Sequence, residues 1–176
     1  GIAVDQDRNV YTAGGYKYET VRRLDQDGDL VWKYSDHEDS VYDVAVDSEG
    51  NVYSASLDDT VRKLDPKGDL IWKYEKHESD VYDVKVDNDG NIYTASNDNT
   101  VRKISPQGKT IWTEKFDIGI LSVAVDREGN VYTGSKQNTI RKLDSEGDRV
   151  WTNTNHTDDV YGIAVDSENY VYSASH

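Results

Sequence analysis

One phrase recurs along this chain: V-x-V-D or a close variant, a turn, then N-x-Y-[ST]-[AG] or its near equivalent. Its aspartate stands at Asp5, Asp47, Asp87, Asp126 and Asp166, in steps of 42, 40, 39 and 40 residues. A fixed period of this length means one supersecondary unit used repeatedly, each copy burying its apolar face against the next. Four units are complete and a fifth is partial.

Each complete unit carries four short strand signals. In the second they cover 41–47, 51–56, 60–65 and 69–74. These runs are β-branched and aromatic, with Gly, Asp and Asn between them. Val44 and Val46 alternate with Ala45, which suits a strand packed on both faces. Gly50, Gly90 and Gly129 sit where a short hairpin needs positive φ. A second glycine turn, at Gly28, Gly68, Gly108 and Gly147, joins the third signal to the fourth. Four short strands per 40 residues predict an all-β chain, a β-propeller of four-stranded antiparallel blades with four complete repeats and a partial fifth. The repeats run over about 1–36, 37–76, 77–115, 116–155 and 156–176, as one domain. Trp32, Trp72, Trp112 and Trp151 fall one per fourth strand. A large ring at one repeated address is expected to anchor neighbouring blades, with Leu30-Val31 and Leu70-Ile71 as core beside it. A sugar-stacking platform is the alternative use of such rings.

Charge narrows the partners. With 34 Asp+Glu against 20 Lys+Arg the formal net charge is −14, which repels nucleic acid and anionic membrane. Basic protein patches and cations remain compatible. Zero cysteines exclude disulfides and thiol catalysis. No apolar run is long enough to span a membrane. There is also no methionine, so the chain is expected to be processed or excised from something longer.

From His37 the chain reads H-E-D-S-V-Y-D-V-A-V-D-S-E-G-N-V-Y-S-A-S-L-D-D-T-V-R-K-L-D. This resembles a WD-repeat, unit by unit over essentially the whole chain. The family's terminal Trp-Asp is replaced here by Leu24-Asp25, Leu64-Asp65, Ile104-Ser105 and Leu143-Asp144. The Trp instead follows D-x-x-G-x-x-x-W, as from Asp25 to Trp32, which resembles the quinoprotein-like propeller repeat with one residue fewer in the turn. The WD resemblance implies a buried His–Ser/Thr–Asp network within a blade. Its members would be His37, Ser54 and Asp58, then His77, Thr94 and Asp98, with the absent Trp shortening it by one. In the fourth unit Phe116 replaces the His and Gln137 replaces the Asp together, as mutually satisfying groups would. The same resemblance implies a partner-binding rim at Ser40, Tyr42 and Leu57; Asp80, Tyr82 and Asn97; Gly119, Leu121 and Lys136; and Asp159 and Tyr161. Its tyrosines would form a contact patch or plug a central channel.

Sites for chemistry are weaker. His37, His77 and His156 occupy equivalent positions, so they should point alike rather than converge on a metal. The turns at Asp25-x-Asp27 and Asp87-x-Asp89 echo a calcium loop without its distant Glu. No carboxylate pair, P-loop or nucleophile elbow stands out, so neither catalysis nor a cofactor or metal is expected. Two extra residues around Tyr16 and Tyr18 in the first unit offer an aromatic contact loop. The expected function is a non-catalytic scaffold that binds a protein partner. The alternatives are a quinoprotein-like enzyme fragment using pyrroloquinoline quinone with calcium, and a carbohydrate-binding propeller. The first and last units duplicate the same strands rather than completing one blade, which leaves three expectations: a segment of a larger propeller, favoured by the missing methionine, self-assembly into a multi-chain ring, or a small ring closed around a deficient blade.

Overall fold

The computed structural model describes residues 1–14 and 19–175. Tyr16 and Tyr18 of the extra loop lie outside the described residues. Among the described residues, eighteen strands form five antiparallel sheets, each following chain order. The first sheet holds β1 (Ile2–Val4), β2 (Val10–Ala13), β3 (Val21–Leu24) and β4 (Leu30–Tyr34). The second holds β5 (Val41–Val46), β6 (Val52–Ser56), β7 (Val61–Leu64) and β8 (Leu70–Tyr74). The third is β9 (Val81–Val86), β10 (Ile92–Ser96), β11 (Thr100–Ile104) and β12 (Thr110–Lys115). The fourth is β13 (Ile120–Val125), β14 (Val131–Ser135), β15 (Ile140–Leu143) and β16 (Arg149–Asn153). The fifth has only β17 (Val160–Val165) and β18 (Val171–Ser175). No helix among the described residues is long and apolar enough to cross a membrane.

The repeated phrase is a hairpin that satisfies itself. Asp47 Oδ1 accepts the backbone N–H groups of Glu49 (3.0 Å) and Asn51 (2.9 Å). Its Oδ2 accepts the Asn51 side-chain amide and the Tyr53 hydroxyl, each at 2.9 Å. The Asn and Tyr bonds recur on Asp5, Asp87 and Asp126. Thus the phrase is one hydrogen-bonded unit, and the buried tyrosine leaves no orphan hydroxyl. The turn residue has φ near +80° at Gly50, Gly90 and Gly129, while Arg8 (φ 64°) and Asn169 (φ 67°) take the same place in the end units.

Between sheets lies the core. Tyr11, Val21 and Tyr34 of the first sheet pack on Val41, Val44, Val52 and Leu64 of the second. The same pairing of surfaces recurs at the next three boundaries. Tryptophan joins them. Trp32 Nε1 donates to the Pro66 carbonyl, Trp72 to that of Pro106 and Trp112 to that of Ser145, at 3.0–3.1 Å, each on the following sheet. The rings lie against Gly68, Gly108 and Gly147, where an added Cβ would come within 2.9–3.1 Å.

The flanks of these rings are not core. Leu30, Val31, Leu70 and Ile71 are 58%, 49%, 47% and 52% exposed. The register explains it: Leu24 pairs Leu30 while Arg23 pairs Trp32, so a bulge leaves Val31 unpaired, and Ile71 is left likewise. The bulge turns the start of the outermost strand away from the neighbouring sheet while keeping the ring in it.

Candidate binding rim and its supporting networks

Two blades hold a buried polar network behind their loops. His37 Nδ1 lies 2.8 Å from Asp58 Oδ2, and its Nε2 lies 2.8 Å from Ser54 Oγ. A carboxylate only accepts, so Nδ1–H donates to Asp58 and the unprotonated Nε2 accepts from the Ser54 hydroxyl. Burial holds this ring below the ordinary histidine range, and Asp58 offsets that only in part. Burial also opposes ionising Asp58, but bonds from His37 and Thr60 outweigh it and hold the carboxyl well below the carboxylate range. His77, Thr94 and Asp98 repeat the arrangement at 3.0 Å for both contacts.

Sequence reasoning missed a member. Arg62 reaches Asp58 Oδ2 (3.2 Å) and the Tyr34 hydroxyl of the preceding sheet (2.9 Å). Arg102 does the same to Asp98 (3.0 Å) and Tyr74 (3.4 Å). The network is therefore not shortened by the absent tryptophan. An arginine takes it across the blade boundary, and the repeated T-[VI]-R after the turn was the available signal. In the fourth blade, without the carboxylate, Arg141 stacks 4.9 Å from the centre of the Phe116 ring. His156, in the fifth, bonds Ser173 and Ser175 at 2.8 Å and stays half-exposed.

A second unforeseen network runs between the innermost strands. Asp83 Oδ2 accepts from Ser122 Oγ (2.8 Å) and Val123 N (2.9 Å) of the next blade, and Ser122 Oγ accepts from Ile163 N (3.2 Å) of the one after. Asp43 Oδ2 accepts from Val84 N (3.4 Å) and Lys85 Nζ (2.8 Å), and Lys85 also bonds Asp83. The polar side chain four residues before the hairpin aspartate, Asp43, Asp83 or Ser122, thus latches one blade to the next. One lysine serves two carboxylates, and the burden falls on Asp43. Burial, then the neighbouring Asp83, push its pKa up to about 6 despite Lys85. A raised folded-state value stabilises fully below the unfolded pKa near 4 and loses that contribution as pH rises through 6. His37 and His77, held low, act oppositely: their contribution is lost as pH falls through the ordinary histidine value. Urea unfolding of Asp43→Asn against wild type isolates the first effect. The variant's relative stability should rise between pH 4 and 7, by up to about 3 kcal/mol. A pH-independent difference would contradict the reading.

The rim stands on these supports. Tyr42, 54% exposed, meets Tyr82 edge to face with ring centres 5.4 Å apart. Tyr82 donates to Asp80 Oδ2 (3.1 Å), and Lys136 Nζ lies 5.9 Å from the Tyr82 ring centre while bonding Asn97 Oδ1 at 2.7 Å. Residues from three blades are thereby brought together. Tyr161, 55% exposed, bonds Asp159 Oδ2 at 3.4 Å, and Asp159 Oδ1 accepts from Gln137 N at 2.9 Å. Leu57 and Leu121 are half-buried at the edge. Ser40 is buried beneath this rim, and its carbonyl accepts from Leu57 N and Ser56 Oγ, closing the loop. Gly119 is buried in the equivalent place, its carbonyl accepting from Lys136 N. Leu57 and Asn97 directly precede Asp58 and Asp98, so the histidine networks fix the loops that present the rim.

Other candidates are occupied within the chain. Asp25 Oδ1 accepts from Asp27 N and Asp29 N, at 3.0 and 2.9 Å, as an Asx turn. Among the described residues no group of three His, Asp or Glu stands together to hold a metal. Asp25 is thus engaged within its own turn, and the Trp32, Trp72 and Trp112 rings lie against the glycine turns of the following sheets.

Repeated four-stranded antiparallel sheets, packed face to face and presenting loops at one rim, define a β-propeller-type repeat protein. The model of the family described as outer membrane protein assembly factor BamB, a quinoprotein-like repeat, matches residues 17–113 and again residues 57–174. The chain belongs to that family. No curated protein matches it.

Proposed function

We propose that this chain is a non-catalytic scaffold that binds a basic segment of a protein partner at the rim around Tyr42, Tyr82 and Lys136. The observation that carries the reading is the pairing of exposed Tyr42 with half-buried Tyr82, joined to Asp80, Asn97 and Lys136 across three blades. Paired rings offer rigid apolar area with polar tips, the composition of interface anchors. Asp80 and Asp159 beside the tyrosines, on a chain of net charge −14, favour a cationic segment. The family's description as an assembly factor supports a scaffold role.

Selecting a displayed library of random peptides on the folded protein tests this. Enriched peptides should carry Lys or Arg, and Tyr42→Ala with Tyr82→Ala should weaken them by at least about tenfold, or 1.4 kcal/mol. Peptides that bind the double variant as tightly as wild type would place recognition elsewhere.

A further inference from the structure

Every boundary between neighbouring sheets joins the same two surfaces. On the earlier sheet the face is small and aromatic, as Ala3, Tyr11, Ala13 and Trp32 show. On the later sheet it is aliphatic, as Val44, Val46, Val52 and Leu64 show. Four boundaries repeat this match, and each of the two end sheets carries one half of it uncovered. Ile2 holds the position of Val44, Val84, Val123 and Ile163. It is 68% exposed where those four are 3%, 0%, 0% and 8%. Val4, in the same face, is 58% exposed. At the other end Tyr172 holds the position of Tyr11, Tyr53, Tyr93 and Tyr132. It is 57% exposed where those are 1%, 0%, 0% and 2%, and Ala164 and Ala174 beside it are exposed too.

We propose that a second copy of this chain covers these faces, the aliphatic face of its first sheet docking on the aromatic face of the fifth sheet of its neighbour. The part of the aromatic face that the two-stranded fifth sheet carries, around Ala164, Tyr172 and Ala174, is complementary to the aliphatic face because the chain itself joins their equivalents four times. The contact continues an interface already present. It is heterologous, so copies add head to tail until a ring closes or a filament grows. The rim plays no part in it, and this inference stands or falls apart from the proposed function.

Sedimentation velocity of the purified chain from about 1 to 100 μM, a range that registers micromolar contacts, should show multiples of 19.9 kDa. Ile2→Asp and Tyr172→Asp, both at exposed positions, should each give a folded monomer by circular dichroism. Mixed together, the two variants should form a one-to-one dimer that grows no further, since each keeps the half the other lacks. Wild type that stays monomeric throughout overturns the proposal in favour of a cover from elsewhere in a longer polypeptide. Persistent assembly of either variant alone overturns the assigned faces. A mixture that stays monomeric overturns the head-to-tail geometry.

Discussion

Asp98→Ala is expected to cost about 3–5 kcal/mol in folding free energy, because it strands His77 and Arg102 without their shared acceptor. The side chains of His77 and Asp98 are almost wholly shielded from solvent, so water cannot replace the lost carboxylate. The fourth blade supplies the control. There Phe116 and Gln137 replace the pair and Arg141 stacks on the phenylalanine instead. Copying that solution into the third blade, as His77→Phe with Asp98→Gln, should cost clearly less than Asp98→Ala alone. Removing both partners of a buried contact leaves no orphan, whereas removing one does. Urea unfolding midpoints at neutral pH would measure both. If the double variant lost as much as the single one, the network would not be the mutually satisfied unit described above.

Gly147→Ala should be the second large effect, and Gly28→Ala its internal reference. The two residues sit in equivalent turns with φ of +92° and +88°, so both substitutions place a side chain in the left-handed region. That alone costs roughly 1 kcal/mol. At Gly147 the new Cβ also comes within 2.9 Å of the Trp112 ring, while at Gly28 it meets nothing within 4 Å. Displacing the ring would further endanger its bond to the Ser145 carbonyl, so an extra penalty of about 1–3 kcal/mol is expected at Gly147. Equal losses at the two sites would show that the ring does not bear on the next blade as described.

Much of this architecture was legible because the repeat reports the same environment several times. One Asp-Gly turn is weak evidence, but three equivalents in step, at Gly50, Gly90 and Gly129, place the hairpins, and the observed strands fall close to the expected spans. The histidine networks were implied by the resemblance to WD-repeats, and the joint loss of His and Asp at Phe116 and Gln137 agreed with them. What escaped depends on neighbours in space. Nothing local in Val31 or Ile71 says that a bulge turns them outward. Asp43 and Asp83 occupy strand positions that read as ordinary alternation, and their latching role appears only when the next blade's amides are in place. Ser40 has the address of a contact residue, and its burial beneath the rim shows only once its own loop is folded. The rim tyrosines were named individually, yet their pairing requires two blades side by side.

The proposed function rests on a division of labour, with repeated residues holding the blades and rim residues recognising a partner. Its most direct test pairs His77→Ala with Tyr82→Ala, measuring unfolding free energy and affinity for a selected basic peptide on each folded variant. Tyr82→Ala should lose at least about tenfold in affinity and no more than about 1 kcal/mol in stability. His77→Ala should lose several-fold more stability, while its folded fraction, with only the support of the Asn97 loop weakened, should lose less affinity than Tyr82→Ala does. Binding that follows His77, or stability that follows Tyr82, would contradict the division.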